Sequence, residues 1–202
     1  MPIELEAKFK VNDHDPIRLR LMELGAASQG IVEELNTIYE SPAADLVSTD
    51  RGLRIRTKLN LADGSTQGVL TFKGPKIAGQ FKSREEIETH VDDPAALAAI
   101  FNRLGYVVGF CFAKKRETWK LGQCLIELDE IPLLGYYIEI EGPDEQSIRT
   151  MASHLNIDAA ANISSSYIRL LSDYAAKNGV ESKQFLFPIQ DVDIVNKSPA
   201  TR

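Results

Sequence analysis

The sequence predicts an α+β protein: an antiparallel β-sheet of about eight strands closed into a barrel, with amphipathic helices packed outside it. Three observations carry this. Many segments alternate apolar and polar residues with period two, others repeat apolar residues with helical period, and the strand segments place charges at i and i+2.

The elements follow in chain order. Residues 3–10 alternate as a strand, and residues 16–24 carry Ile17, Leu21 and Leu24 on one helical face behind Pro16. A short strand is expected at 37–40, then strands at 53–58 and 69–73 joined by the hairpin loop Ala62-Asp63-Gly64-Ser65. A strand at 83–89 precedes a helix at 94–104, which begins behind Asp92-Asp93-Pro94 and carries Leu97, Ile100, Phe101 and Leu104. Strands at 113–120, 124–129 and 136–141 follow. Helices at 144–155 and 165–177 close the series, the second ending at Asn178-Gly179. Residues 1–178 therefore form one domain, and residues 179–202 read as a flexible or docked tail, with Phe185-Leu186-Phe187 as its docking residues. A strand, turn, helix unit recurs after Glu4-Leu5-Glu6, Glu86-Ile87-Glu88 and Glu139-Ile140-Glu141.

Composition narrows the function. Of 202 residues, 44% are hydrophobic and 26% charged, values of a folding globular chain. The net charge of −6 argues against a nucleic-acid or anionic-membrane partner, both of which need a basic surface. No apolar run is long enough for a membrane-spanning helix, and the charged start Glu4-Leu5-Glu6-Ala7-Lys8 differs from a signal peptide, so a cytoplasmic location is expected. Cys111 and Cys124 read as small buried hydrophobes. Lys73-Gly74-Pro75-Lys76 lacks P-loop spacing, and no Gly-x-Ser-x-Gly elbow is present.

The charged faces are the unusual feature. Taken singly, each is ordinary solvated surface. Yet Glu4, Glu6 and Lys8 share a face, as do Arg54 and Arg56, Arg84, Glu86 and Glu88, Lys114 and Arg116, Glu127 and Asp129, and Glu139 and Glu141, with Lys73 in phase with Thr71. Leu5, Ile55, Phe72, Ile126, Leu128, Ile138 and Ile140 project the other way, where helices can cover them. If the helices lie outside, the charges line a tunnel, and their near balance, with Lys58 as a further base, is what such a lumen requires. Arginine forks and lysines match phosphate oxygens, while clustered carboxylates suit a hard divalent cation. Carboxylates two apart on a strand lie roughly 6 to 7 Å apart at the backbone, close enough to share a metal. The pattern points to metal-assisted phosphoryl or nucleotidyl chemistry on a polyphosphate.

These residues also carry a resemblance. Glu4-x-Glu6-x-Lys8, Arg54-x-Arg56, Thr71-Phe72-Lys73-Gly74-Pro75, Ser83-Arg84-Glu85-Glu86-Ile87-Glu88, Lys114-Lys115-Arg116-Glu117, Leu128-Asp129 and Gly135 to Glu141 together resemble, in order, the CYTH superfamily of triphosphate tunnel metalloenzymes. Residues 127–141 look most like its class IV adenylyl cyclase branch. The resemblance implies an eight-stranded tunnel, a triphosphate inside it and a Mg²⁺ or Mn²⁺ cofactor. It implies Glu4, Glu6, Glu139 and Glu141 as main metal ligands with Glu86 and Glu88 nearby; Lys8, Arg54, Arg56, Lys73, Arg84, Lys114 and Arg116 as phosphate binders; and Asp129, with Lys8, as catalytic. Arg169 departs from the pattern, which more often has an acid there.

Three functions share this lumen. The first is a cyclase converting ATP to cyclic AMP and pyrophosphate. The second is a triphosphatase acting on tripolyphosphate, thiamine triphosphate or a nucleotide, and the third a non-catalytic polyphosphate-binding module. The partner is in each case a small triphosphate; a homodimer is left open.

Overall fold

The computed structural model describes residues 3–79 and 81–188, so the tail beyond 188 lies outside the described residues. The order is β1 (Ile3–Lys10), α1 (Asp15–Glu23), β2 (Ala27–Glu40), β3 (Gly52–Asn60), β4 (Thr66–Ile77), β5 (Lys82–Val91), α2 (Pro94–Arg103), β6 (Val107–Leu121), β7 (Cys124–Ile131), β8 (Gly135–Glu141), α3 (Glu145–His154), α4 (Tyr167–Asn178) and β9 (Gln184–Phe185). Strands run β2-β3-β4-β5-β1-β8-β7-β6, and β2 pairs β6 to close an antiparallel eight-stranded barrel. Closure removes the open edges that a sheet this size would otherwise expose. β9 adds in parallel to β6 at Cys111 and Phe112.

The sequence pattern finds every barrel strand, but β2 is far longer than its expected 37–40 and pairs with β6 from Ala27 to Glu40. Its polar start and the run Glu33-Glu34-Leu35 break the alternation, and a bulge at Ser28/Gly30 shifts the phase. Gly30 sits there at φ 99°, which a side-chain-bearing residue would strain to adopt. Another bulge, between Lys73 and Lys76 in β4, contains Pro75, whose missing N–H is tolerated where the ladder is already broken.

Two hydrophobic clusters explain where the helices go. In the first, Ala7 and Phe9 of β1, Ile126 and Leu128 of β7, and Ile138 and Ile140 of β8 turn outward against Ile17 and Leu21 of α1 and Ile148, Met151, Ala152 and Leu155 of α3. Fully burying an Ile or Leu side chain contributes about 1.5 to 3 kcal/mol, so this face anchors the barrel. Asp144 starts α3 by accepting a hydrogen bond from the Ser147 amide at 2.7 Å.

The second cluster departs from the expected arrangement of helices outside the barrel. Phe110, Phe112, Ile131 and Tyr137 continue the inward-facing rows of Lys114, Asp129 and Glu139, and they meet Tyr167, Leu171 and Ala175 of α4. Thus α4 covers one end of the lumen. Phe185 of β9 supports it, stacked on Phe110 at 5.3 Å, so Gln184–Phe185 dock against β6. Both cysteines are free, Cys124 buried and Cys111 half-buried. Among the described residues, no helix is long and apolar enough to cross a membrane.

Candidate functional site

Barrel register gathers the charged rows. β1 sets Glu4 opposite Arg84 and Glu6 opposite Lys82 on β5; on its other side Glu6 faces Glu141 and Lys8 faces Glu139 of β8. Next, Glu127 of β7 lies opposite Glu139, and Asp129 opposite Arg116 of β6. Lys114 faces Glu34 of β2, which faces Lys58 of β3. Arg54 lies opposite Thr71 of β4, whose Lys73 faces Glu86 of β5. All the site residues named from sequence therefore line one interior, together with Lys82, Glu34 and Asn36, which sequence reasoning did not name.

The interior has two chemically different sides. One, from β3 to β5, is rich in underpaired cations. Arg54 donates to Glu88 at 3.3 Å and to the Thr71 hydroxyl at 3.1 Å, and Arg84 to Asp50 at 3.3 Å. Nε of Arg54, Arg56 and Arg84 and the Asn36 amide nitrogen are buried with no hydrogen-bond acceptor. An unmet buried donor costs about 1 to 3 kcal/mol, and these lie in one region. Burial, with Arg56 beside it, pulls the Arg54 pKa down to about 10. Burial also lowers that of Lys73, which pairs with Glu86.

The other side, formed by β1, β8 and β7, holds crowded carboxylates. Burial, with a hydrogen bond that protonated Glu4 donates to Glu86, raises Glu4 to about 7. Glu141 is also raised to about 7, by burial and by Glu4 and Glu6, and Glu127 reaches about 7 mainly through burial. Glu127 pairs with Arg116 and Glu4 lies 3.8 Å from Lys73, so burial is the main cause that holds these oxygen donors near 7, and the donor set suits Mg²⁺ or Mn²⁺. Other acids are committed to cations: Glu139 to Lys8 at 3.2 Å and to Arg116, and Glu6 to Lys82. Lys8 and Arg116 overcome the effect of burial and hold Glu139 well below the carboxylate range. Among the described residues, no three His, Cys, Asp or Glu side chains are gathered as a ready metal cage.

Asp129 is wholly buried and receives four hydrogen bonds: Arg116 at 2.7 and 2.5 Å, Lys114 at 3.2 Å and the Tyr167 hydroxyl at 2.9 Å. Its oxygens fix the two cations in place. Lys8 donates to the Ser165 carbonyl at 3.0 Å and lies 3.8 Å from the Tyr167 ring centroid, so α4 and the loop before it pack directly against phosphate-type residues. Arg169 pairs with Asp173 at 3.0 Å on the exposed face of α4 and does not enter the lumen.

The comparisons with known proteins agree with this geometry. The CYTH domain family matches residues 2–168. The chain belongs to the CYTH family. Enzymes of this family act on triphosphates and use divalent metals. This CYTH chain is 32% identical over 139 residues to a Methanocaldococcus jannaschii protein whose name gives an inferred adenylate cyclase, covering 69% of this chain and 76% of that one. Its fold matches the PH1819 protein of Pyrococcus horikoshii with a TM-score of 0.73 at 28% identity, over 85% of this chain and 99% of the other. It also matches a Hippeastrum protein at TM-score 0.59 and 18% identity, over 87% and 96%; that protein's description joins an inferred adenylyl cyclase to a dominant triphosphatase activity.

Proposed function

We propose that this CYTH protein is a metal-dependent enzyme acting on a triphosphate held in its barrel, and that its reaction is of the class IV type, ATP to cyclic AMP and pyrophosphate. The observation that carries the reading is the two-sided lumen. Unmet arginine donors face one way and carboxylates of pKa near 7 the other, which suits a metal-bound polyphosphate. The cyclase reading is further supported by the name of the 32% identical relative.

Arg54, Arg56, Lys73 and Arg84 would bind the phosphate chain, with Lys8, Lys114 and Arg116 at the deeper end. Glu4 and Glu141, with Glu6 and Glu139 adjacent, would hold Mg²⁺ or Mn²⁺, which when bound withdraws charge from phosphate oxygens. Asp129 positions Lys114 and Arg116. In cyclisation the ribose 3′-oxygen bonds to the α-phosphorus, the bond to the β-bridging oxygen breaks, and pyrophosphate leaves with that electron pair. A carboxylate of pKa near 7, such as Glu127, is suited to take the hydroxyl proton.

Hydrolysis is the second reading, favoured by the same carboxylates: a group of pKa near 7 can deprotonate water as well as a sugar hydroxyl, with no demand on ribose orientation. Products decide. With ATP and either metal, cyclic AMP growing in step with pyrophosphate supports the cyclase. Phosphate release from tripolyphosphate or ATP with no cyclic AMP overturns it in favour of the hydrolase. Absence of any metal-dependent turnover would leave the binding module.

A further inference from the structure

The end of the lumen that α4 covers is built in two halves. On the side of β6 to β8, Tyr167 is buried between Lys8 and Lys114, its ring centroid 3.8 and 5.5 Å from their ammonium groups. On the side of β3 to β5, the boundary is the loop of residues 41–51 that joins β2 to β3. Register sets both halves at one end, because Ile38 of β2 lies opposite Phe110 of β6, which meets α4. The loop is tied by its own polar groups. The Glu40 carboxylate accepts hydrogen bonds from the amides of Ser41, Leu46 and Val47 at 2.9, 2.9 and 3.2 Å, and Arg51 pairs with Asp45 at 2.5 Å.

This loop presents Asp50 to the lumen rim at φ 52°, a left-handed conformation that Asp and Asn tolerate better than most side chains. Its Oδ2 accepts the Lys76 amide at 2.8 Å, at the β4 bulge where the strand ladder is interrupted. Its Oδ1 accepts from the Arg84 guanidinium at 3.3 Å and lies 3.9 Å from the Lys76 ammonium. Burial would raise the Asp50 pKa, but the Lys76 amide, Arg84 and the Lys76 ammonium hold it below its usual value. Arg84 itself belongs to the lumen: it shares a face with Glu86 and Glu88, its side chain is 9% exposed, and its Nε is buried with no acceptor.

We propose that Asp50 is a positioning residue for triphosphate binding: from the rim it anchors one edge of the Arg84 guanidinium and pins the β4 bulge, so that Arg84 meets the phosphate chain already oriented. The inference rests on the triphosphate reading above and deepens it. An arginine loses much rotamer freedom when it is fixed, and a partner that fixes it beforehand removes that cost from binding. Asp50 suits this task because it touches Arg84 from a loop whose polar groups already hold it, and because one carboxylate leaves donors of the fork unused. The same side chain fixes the amide of Lys76, three residues from Lys73, a second phosphate-type cation. Asp50 therefore orders two sides of one anion site without entering it.

Asp50 is exposed, so it can be changed without disturbing the core. Calorimetric titration of tripolyphosphate with Mg²⁺ present would compare the wild type, Asp50→Asn, Asp50→Gly, Arg84→Ala and the double variant Asp50→Asn/Arg84→Ala, with thermal unfolding to check each fold. Asp50→Asn keeps an acceptor for the Lys76 amide and tolerates the positive φ, so it should melt close to wild type yet bind about tenfold more weakly. Asp50→Gly, which meets no strain at that φ, should lose at least as much affinity and carries the test if the Asn variant melts early. Once Arg84 is removed, Asp50→Asn should change affinity by less than about twofold, which a merely structural role would not produce. Affinity unchanged or tightened in both Asp50 variants, a tenfold loss repeated in the Arg84→Ala background, or Arg84→Ala binding like wild type would each overturn the inference while leaving the lumen reading intact. A wild type that does not bind tripolyphosphate sinks the triphosphate reading as well.

Discussion

The Tyr167 hydroxyl donates a 2.9 Å hydrogen bond to Asp129 Oδ2 across the end of the barrel that α4 covers. It joins the helix to the innermost ion network, since the same oxygen accepts from Lys114 and Arg116. Tyr167→Phe keeps the ring between Lys8 and Lys114 but removes one donor from a fully buried carboxylate. The expected loss is about 1.5 to 3 kcal/mol of unfolding free energy by denaturant titration. Tyr167→Ala also removes the ring and should cost about 3 to 5 kcal/mol. Equal midpoints for Tyr167→Phe and wild type would mean that the hydroxyl holds nothing.

Glu34 provides a second test, because it is fully buried among cations. Lys114 lies 3.6 Å away, Arg56 3.3 Å and Lys58 4.0 Å. Burial alone would raise its pKa, but Lys114, Arg56 and Arg116 overcome that and hold it well below the carboxylate range. Glu34→Gln keeps the shape and removes the charge, leaving those cations facing one another. The fold should lose about 3 to 5 kcal/mol, as when one partner of a buried pair is removed. A neutral result would show that Asp129 alone balances that side.

These two residues also show what the sequence could and could not carry. The faces of β1, β3, β5, β7 and β8 were legible because period-two alternation states which side chains share a side, and the amphipathic helices supplied the opposite layer. Glu34 was not legible: Glu33-Glu34 is adjacent charge, and only the pairing of β2 with β6 determines which of the two turns inward. Lys82 lies one residue before the strand that alternation suggested. Tyr167 has a helical period like any core aromatic, and its placement under the lumen depends on how α4 crosses the barrel end, which no local pattern encodes. A strand just past the helix Gly-cap, at Gln184–Phe185, was likewise hidden within a polar stretch.

The basic side makes a binding prediction. Arg54 and Arg56 bring buried nitrogens with no acceptor, so an incoming phosphate removes an existing penalty as well as forming charge-assisted bonds. Arg54→Ala or Arg56→Ala should weaken tripolyphosphate binding by about 2 to 5 kcal/mol in calorimetric titration. Lysine at either position should recover only part, because it lacks the planar fork. Because Arg56 also pairs with Glu34, its alanine variant should lose stability too, whereas Arg54→Ala, whose partner Glu88 is half exposed, should lose less. Unchanged affinity in both would place the phosphate elsewhere.

The acid side governs pH dependence. Glu4, Glu127 and Glu141 titrate near 7 in the folded chain, against 4.5 for an ordinary glutamate. A carboxyl whose folded pKa is raised binds its proton more tightly when folded, so its contribution to stability is fully present below 4.5 and is lost as pH rises through 7. Glu34 and Glu139 have the opposite sign: their folded pKa values are depressed, so their contribution is present above 4.5 and is lost as pH falls through their depressed folded-state values. The melting temperature of the metal-free protein should therefore fall from pH 5.5 to pH 8. Glu141→Gln should flatten that fall, since it removes one of the three charges and relieves repulsion on Glu4. Mg²⁺ at pH 8 should restore the melting temperature, and at pH 6.5 its binding should release protons, because the cation and the protons compete for the same carboxylates. The restoration should be much smaller in Glu141→Gln. A flat profile between pH 5.5 and 8, or equal Mg²⁺ stabilisation of wild type and Glu141→Gln, would remove the β1–β8 carboxylates from the metal site.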